Sequence, residues 1–220
     1  MAVNIRSQAI LSNLDEYNFH ILGCGAIGSS AATQLVRMGA TNISLYDMDK
    51  VEEPNIGVSQ YDARHIGKTK VEALSSILID INPNISIGRH HGEFSQYCPL
   101  TPDKDIVILG FDSMKARLDA ITKVCSPRLP KPMFIIDGRM GAEQYQQYVV
   151  KNLSQYKKTW YSDSEGDPEP CNAKATSYCS NMSGSFICNT IRKILTNSPY
   201  NKELVFNFPT LLLGKKGYVS

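Results

Sequence analysis

The stretch "FHILGCGAIGSS", residues 19–30, constrains the fold more than any other part of the chain. An apolar strand-like run passes directly into Gly23, Gly25 and Gly28 and then into a helical pattern. The spacing G-x-G-x-x-G allows a tight turn, close approach of backbone to a phosphate, and close packing of helix on strand. A helix beginning near Ala26 would aim the N–H groups of Ala26, Ile27 and Gly28, with its positive dipole end, at one spot. By itself such a turn is equally compatible with a plain strand-to-helix connection. Asp47 shifts the balance, because it lies 47 − 28 = 19 residues beyond Gly28 at the end of "NISLYD", near the ~20 expected of an acid that holds ribose hydroxyls. A carboxylate there offers two acceptor oxygens and repels a 2′-phosphate.

The first half alternates strand and helix patterns, the signature of a parallel sheet covered on both faces. "FHILG" and "NISLYD" are the first two strands. Between them a helix runs from about Ala26 to Met38 and is closed by Gly39. After a loop from Met48 to about Ile66, a helical stripe starts at Thr69 and stops before Pro83. "ISIGRH" and "DIVILG" follow as strands, then a helix through "KARLDAITKVC", then "PMFIID" as the fifth strand. From residue 143 "EQYQQYVVKNL" alternates like an antiparallel strand, "SQYKKTWYSDSEGDPEPCNAKA" reads as a polar loop, and "TSYCSNMSGSFICNTIRKIL" returns to helical spacing. Tyr178, Met182, Phe186, Ile187, Ile191 and Ile194 are its expected buried stripe. The expectation is an α/β, Rossmann-like, doubly wound and mainly parallel sheet, with antiparallel strand and helix in the C-terminal part, as one domain over 1–220.

Composition narrows the partners. A net charge of +2, with 23 Lys and Arg spread along the chain, gives no nucleic-acid footprint. No stretch approaches the roughly 18–20 apolar residues of a membrane span, and the N-terminus lacks a signal-like apolar block. The expectation is a cytoplasmic protein without nucleic-acid or membrane partners. Its six cysteines form no C-x-x-C pair, which fits free thiols rather than a zinc site.

Beyond the turn, "YDMDKVEEPN" ends the second strand in D-x-D and continues through V-x-x-x-N, as Asp47, Asp49, Val51 and Asn55. "GKTKVEA" supplies a G-x-x-K-V-E helix start, "INPNISI" an I-N-P segment, and "ILGFDSMKARLDA" a variant of D-N-x-x-x-R with Asp112, Ser113 and Arg117. Together, over about residues 18–150, these motifs resemble the ThiF/MoeB family of ubiquitin-activating-enzyme-like adenylyltransferases. The resemblance implies an enzyme that uses ATP and Mg²⁺ to adenylate a carboxylate, such as the terminal glycine of a small ubiquitin-like or sulfur-carrier protein, and that works as a homodimer. It assigns Asp47 to the ribose, Asn55 and Lys70 to the phosphates and Asp112 to the metal, with Asp49 as a supporting acid. Taken singly, Lys70 also reads as a solvated helix-start lysine, Asn55 as a turn residue after Pro54 and Asp112 as a helix cap.

Three departures stand out. Where the family commonly has N-x-x-R-Q, this chain has "NIGVS", so Val58 and Ser59 replace the arginine and glutamine. Loss of such an arginine can cost about 10³-fold unless another cation substitutes. Arg64, Lys68, Arg139 and Arg6 are candidates, Arg6 because "IRSQAIL" resembles the family's N-terminal S-R-Q segment, which reaches a partner subunit's site. The family's four-cysteine zinc site is broken, since Lys174 stands where the cysteine after Cys171 would be, so no zinc is expected. Cys171, in the polar loop, is the candidate nucleophile for a thioester or persulfide step, against an inert thiol as the plainer reading. An NAD-dependent oxidoreductase and a catalytically degenerate binding subunit are the alternative functions.

Overall fold

The computed structural model describes residues 4–11, 13–95, 101, 103–164 and 175–219. Its strands are β1 (Asn18–Leu22), β2 (Asn42–Asp47), β3 (Ser86–His91), β4 (Asp105–Leu109), β5 (Phe134–Gly141), β6 (Gln144–Val150), β7 (Tyr200–Asn207) and β8 (Leu212–Val219). They form one sheet in the order β3-β2-β1-β4-β5-β6-β7-β8. The first five are parallel and the last three antiparallel. The helices are α1 (Ala26–Arg37), α2 (Glu53–Ile56), α3 (Lys70–Ile81), α4 (Met114–Val124), α5 (Leu153–Lys157) and α6 (Ser177–Leu195).

Alternation along the strands sorts the core into two layers. Phe19, Ile21, Ile43, Leu45, Ile106, Ile108 and Ile136 face α1, α3 and α6, while Leu22, Tyr46, Val107, Leu109 and Ile135 face α4 and α5. Because both faces are covered, β1 and β4 are buried at every position, the polar Asn18, His20 and Asp105 included. The chain leaves β2 and β3 on one side of β1 and returns on the other side as β4. The carboxyl ends of β1 and β4 therefore form the topological switch point where such sheets bind ligands.

Local signals explain most boundaries. Thr69 is the N-cap of α3 rather than its first turn, its hydroxyl accepting from the Glu72 N–H while the Glu72 side chain accepts from the Thr69 N–H. Gly39 has φ +109°, and Ala40 N–H donates to the Leu35 carbonyl, so α1 ends in the left-handed turn its glycine allows.

Three features differ from the expectation. The polar loop after β6 opens with the short helix α5, started by an Asn152 side chain that accepts from the Gln155 N–H. Residues 200–219 contribute the β7–β8 hairpin at the edge of the sheet. The buried stripe of α6 is rotated: Cys179, Ser180, Ser183, Gly184, Ile187, Cys188 and Ile191 are buried, whereas Tyr178 is exposed and Met182, Phe186 and Ile194 lie at the margin. Small residues face inward because α6 packs closely on α1. A Cβ on Gly184 would lie 2.4 Å from Ser30 Oγ and 2.8 Å from the Ser30 carbonyl carbon.

That contact makes Gly184→Ala a test of the α1–α6 packing. Alanine gains about 1 kcal/mol of helix propensity, but overpacking against backbone costs about 1–3 kcal/mol. Urea denaturation should show a net loss of stability; an unchanged or raised midpoint would mean that the two helices can separate freely.

Candidate nucleotide crevice

The glycine turn is built by contact as well as by torsion. Gly23 has φ +95°, and a Cβ on it would lie 2.7 Å from the Gly110 carbonyl carbon beyond β4. A Cβ on Gly28 would fall 1.8 Å from the Gly23 carbonyl oxygen. Gly25 differs, because nothing lies within 4 Å of where its Cβ would be. Two glycines thus let protein pack on protein, while the middle one opens onto space that a ligand can occupy. Gly25 is also the N-cap of α1 and provides no side-chain cap, so the helix start presents its backbone N–H groups.

Asp47 closes the floor of this crevice. Its Oδ2 accepts from the Cys24 N–H at 2.7 Å and its Oδ1 from the Asp49 N–H at 2.8 Å, which joins the turn to the loop after β2. Burial pushes its pKa above the ordinary carboxylate value, against the opposing pull of the Lys70 charge and the two N–H bonds. Lys70 stands at the first position of α3, with its Nζ 2.7 Å from Asp49 Oδ2. Burial lowers its pKa, but the charges of Asp47, Asp49 and Asp112 outweigh that, so its pKa is raised and it stays an ammonium. Asp112 is exposed, just past the end of β4 and before the Ser113 N-cap of α4.

Asp47, Asp49 and Lys70 are therefore joined to Cys24 of the turn, next to Gly25, and Asp112 lies near enough for its charge to act on Lys70. Asn55 sits in the short α2, where its Oδ1 caps the Glu52 N–H at 2.9 Å, leaving its amide nitrogen to donate. Val58 lies half-buried in the turn that follows.

The substitute cations are distributed elsewhere. Asn4 packs against Gly39 at the C-terminal end of α1, which sets the neighbouring Arg6 near the opposite rim of the sheet. Twelve helical residues separate the two rims, about 18 Å at ~1.5 Å per residue. Arg64 is exposed and paired with Asp62, and Lys68 is exposed. Arg139 is only 4% exposed. Its Nε donates to Asp137 Oδ2 and its terminal nitrogens to Thr159, while Tyr148, Tyr161 and Tyr156 surround the guanidinium. Arg117 pairs with the other oxygen of the same Asp137. Cys171 and Lys174 lie outside the described residues. Cys24 and Cys188 are buried, and burial pushes both thiols up, Cys188 to about 12; neither has the exposed, acidified environment of a nucleophile.

Sequence reasoning missed two groups here. One is the buried Arg117–Asp137–Arg139 cluster; Asp137 was visible only as the end of a strand. The other is Tyr61, 4% exposed, whose hydroxyl reaches the Cys24 carbonyl at 2.5 Å. A lone tyrosine in a polar loop was the only signal it offered.

A doubly wound sheet with a glycine turn at its switch point and an acid ending the second strand defines a Rossmann-like α/β protein. The chain belongs to the ThiF family, whose model matches residues 1–210. It is 32% identical over 119 residues to ubiquitin-like modifier-activating enzyme 5 of Caenorhabditis elegans, a match covering 48% of this chain and 28% of that protein. To the protein of that name from Bombyx mori it is 28% identical over 138 residues, covering 56% and 35%. Among solved structures, Escherichia coli MccB with ATP superposes with a TM-score of 0.72 at 18% identity, over 93% of this chain and 64% of that one. PaaA superposes at 0.68 and 17%, covering 94% and 66%. The chain thus spans about a third or less of the curated relatives it matches, and under two thirds of these structural neighbours.

The buried cluster yields a prediction about stability. Asp137→Asn leaves two buried guanidinium groups facing a neutral amide, and breaking a buried ion pair from one side costs about 3–5 kcal/mol. Chemical denaturation should register a loss of that size; a change below about 1 kcal/mol would mean that the arginines reach solvent.

Proposed function

We propose that this chain binds ATP and Mg²⁺ in the crevice at the carboxyl edge of β1 and β4 and transfers AMP to a carboxylate. The acceptor best matching that chemistry is the C-terminal glycine of a small ubiquitin-like or sulfur-carrier protein. The observation that carries the reading is the convergence of Asp47, Lys70 and Asp112 on the uncapped start of α1, in a chain of the ThiF family. The names of the relatives, and the ATP in the MccB structure, support it.

The charge pattern fits a metal nucleotide better than a free one. Three carboxylates face one ammonium, which would repel a bare triphosphate; a divalent cation held by Asp112 restores the balance. Bound there, the metal would draw charge from the phosphate oxygens. The chain's own groups then divide the remaining work. Asp47 keeps accepting lone pairs for the ribose hydroxyls beyond its two backbone bonds, and the N–H groups at the start of α1 receive phosphate. Lys70 exchanges its Asp49 partner for phosphate oxygens, and the Asn55 amide nitrogen donates to them. The acceptor carboxylate attacks the α-phosphorus in line, the bond to the β-phosphate oxygen breaks, and pyrophosphate leaves with that electron pair. Catalysis is by alignment and charge neutralisation.

Among the described residues no cation occupies the place of the family arginine, so Lys70 carries the charge stabilisation, and Arg6 could join it only from a second copy in a homodimer. Val58 is also the observation that favours a second reading, a binding subunit that holds the nucleotide without turnover.

Pyrophosphate exchange into ATP separates these readings. With the acceptor protein present, wild type should exchange. Lys70→Ala and Asp112→Asn should each lower the rate about 10²-fold or more, while Asp47→Ala should mainly raise the KM for ATP. ATP binding without exchange would favour the binding subunit. Calorimetric binding of NAD and not ATP would replace both readings with an oxidoreductase.

A further inference from the structure

Tyr61 is buried in the loop that carries Asn55, and its hydroxyl lies 2.5 Å from the Cys24 carbonyl oxygen and 3.4 Å from that of Lys70. Burial pushes its phenol well above the ordinary value, so it remains a donor at any physiological pH. The Cys24 N–H is held in turn by Asp47. Side chains from two different segments therefore fix both polar groups of Cys24.

The carbonyl of Cys24 and the N–H of Gly25 belong to one peptide plane. That bond is trans, as are all the described peptide bonds, so the two groups point in opposite directions. A hydroxyl that fixes the carbonyl also fixes the N–H on the far side. Among the described residues the Gly25 N–H has no backbone acceptor, and it belongs to the glycine with open space where its Cβ would be.

We infer that Tyr61 is a positioning residue for the nucleotide: its hydroxyl, through the Cys24–Gly25 peptide, aims the Gly25 N–H at a phosphate oxygen. It touches no substrate itself. The inference rests on the reading that this crevice takes ATP and adds a residue that neither the glycine spacing nor the acid motif contains. It also explains why the loop returns beneath the turn, since the same hydroxyl lies near the Lys70 carbonyl and keeps the turn and the start of α3 in one frame.

Tyr61→Phe removes the hydroxyl and keeps the ring. Calorimetry with ATP, ADP and adenosine on wild type and variant reads the effect. The variant should bind ATP and ADP about tenfold more weakly and adenosine equally well, because only the phosphate contact depends on the peptide's direction. Equal losses for all three ligands would mean a merely structural tyrosine, and unchanged ATP affinity would remove the role; either overturns the inference. Should wild type bind no ATP, the reading of the crevice falls and the inference falls with it. Should the variant prove unstable, the Gly25 amide resonance in wild type decides: a shift on adding ADP but not adenosine is expected, and its absence sinks the idea.

Discussion

The carbonyl oxygen of Gly23 occupies the volume that a side chain on Gly28 would fill, and Gly23 itself rests against the backbone of Gly110. The architecture of the crevice depends on this three-way approach of backbone to backbone. Were any of the three a larger residue, the turn would be pushed off the end of β4, and α1 would no longer begin at the point where the strand order reverses. The approach is also what brings Asp47 within reach of the Cys24 N–H. One steric allowance therefore sets the positions of a helix start, a carboxylate and the floor between them.

The two faces of the same sheet edge manage buried charge in different ways. On one face, Asp47 is held by backbone N–H groups and has lone pairs to spare. On the other, Asp137 lies between Arg117 and Arg139 and is saturated. A carboxylate that is partly satisfied by backbone remains available to a ligand, whereas one clamped by two guanidinium groups contributes structure. The cluster also ties β5 and α4 to Thr159, and nearby the Asp163 side chain accepts from the Met114 N–H at the start of α4. Arg139, inside β5, is thus committed to holding the segment beside Asp112 in place, although in sequence it reads like a free cation.

What the sequence could reveal followed the range of the interactions. Strands β1 to β6 and helices α1, α3, α4 and α6 were legible because periodicity and capping are local, and the turn with its acid because their spacing is fixed by one βαβ unit. The rotation of α6 was not legible: a stripe of aromatic and branched residues reads as the buried face, yet close packing on α1 selects the small residues instead. The β7–β8 hairpin was hidden because β8 is exposed along nearly its whole length, so its sequence lacks the apolar alternation that burial imposes. The bond from Arg139 to Thr159 and the bond from Tyr61 to Cys24 join residues 20 and 37 positions apart on separate segments, and no pattern within one element encodes them.

The replacement of the family arginine by Val58 gains meaning in this setting. A crevice with three carboxylates and one paired ammonium has little positive charge of its own, so under the proposed function an anionic ligand would depend on the metal it carries and on backbone dipoles as well as on Lys70. Dipoles act only when their direction is fixed in advance. A chain that has given up a mobile cation relies more heavily on a rigid turn, and the ties found here, Asp47 to the Cys24 N–H and Tyr61 to the Cys24 carbonyl, supply that rigidity on both sides of a single residue. Under the proposed function, the loss at position 58 and the bracing at Cys24 fit one electrostatic arrangement, in which fixed N–H groups add to the charge stabilisation that Lys70 carries.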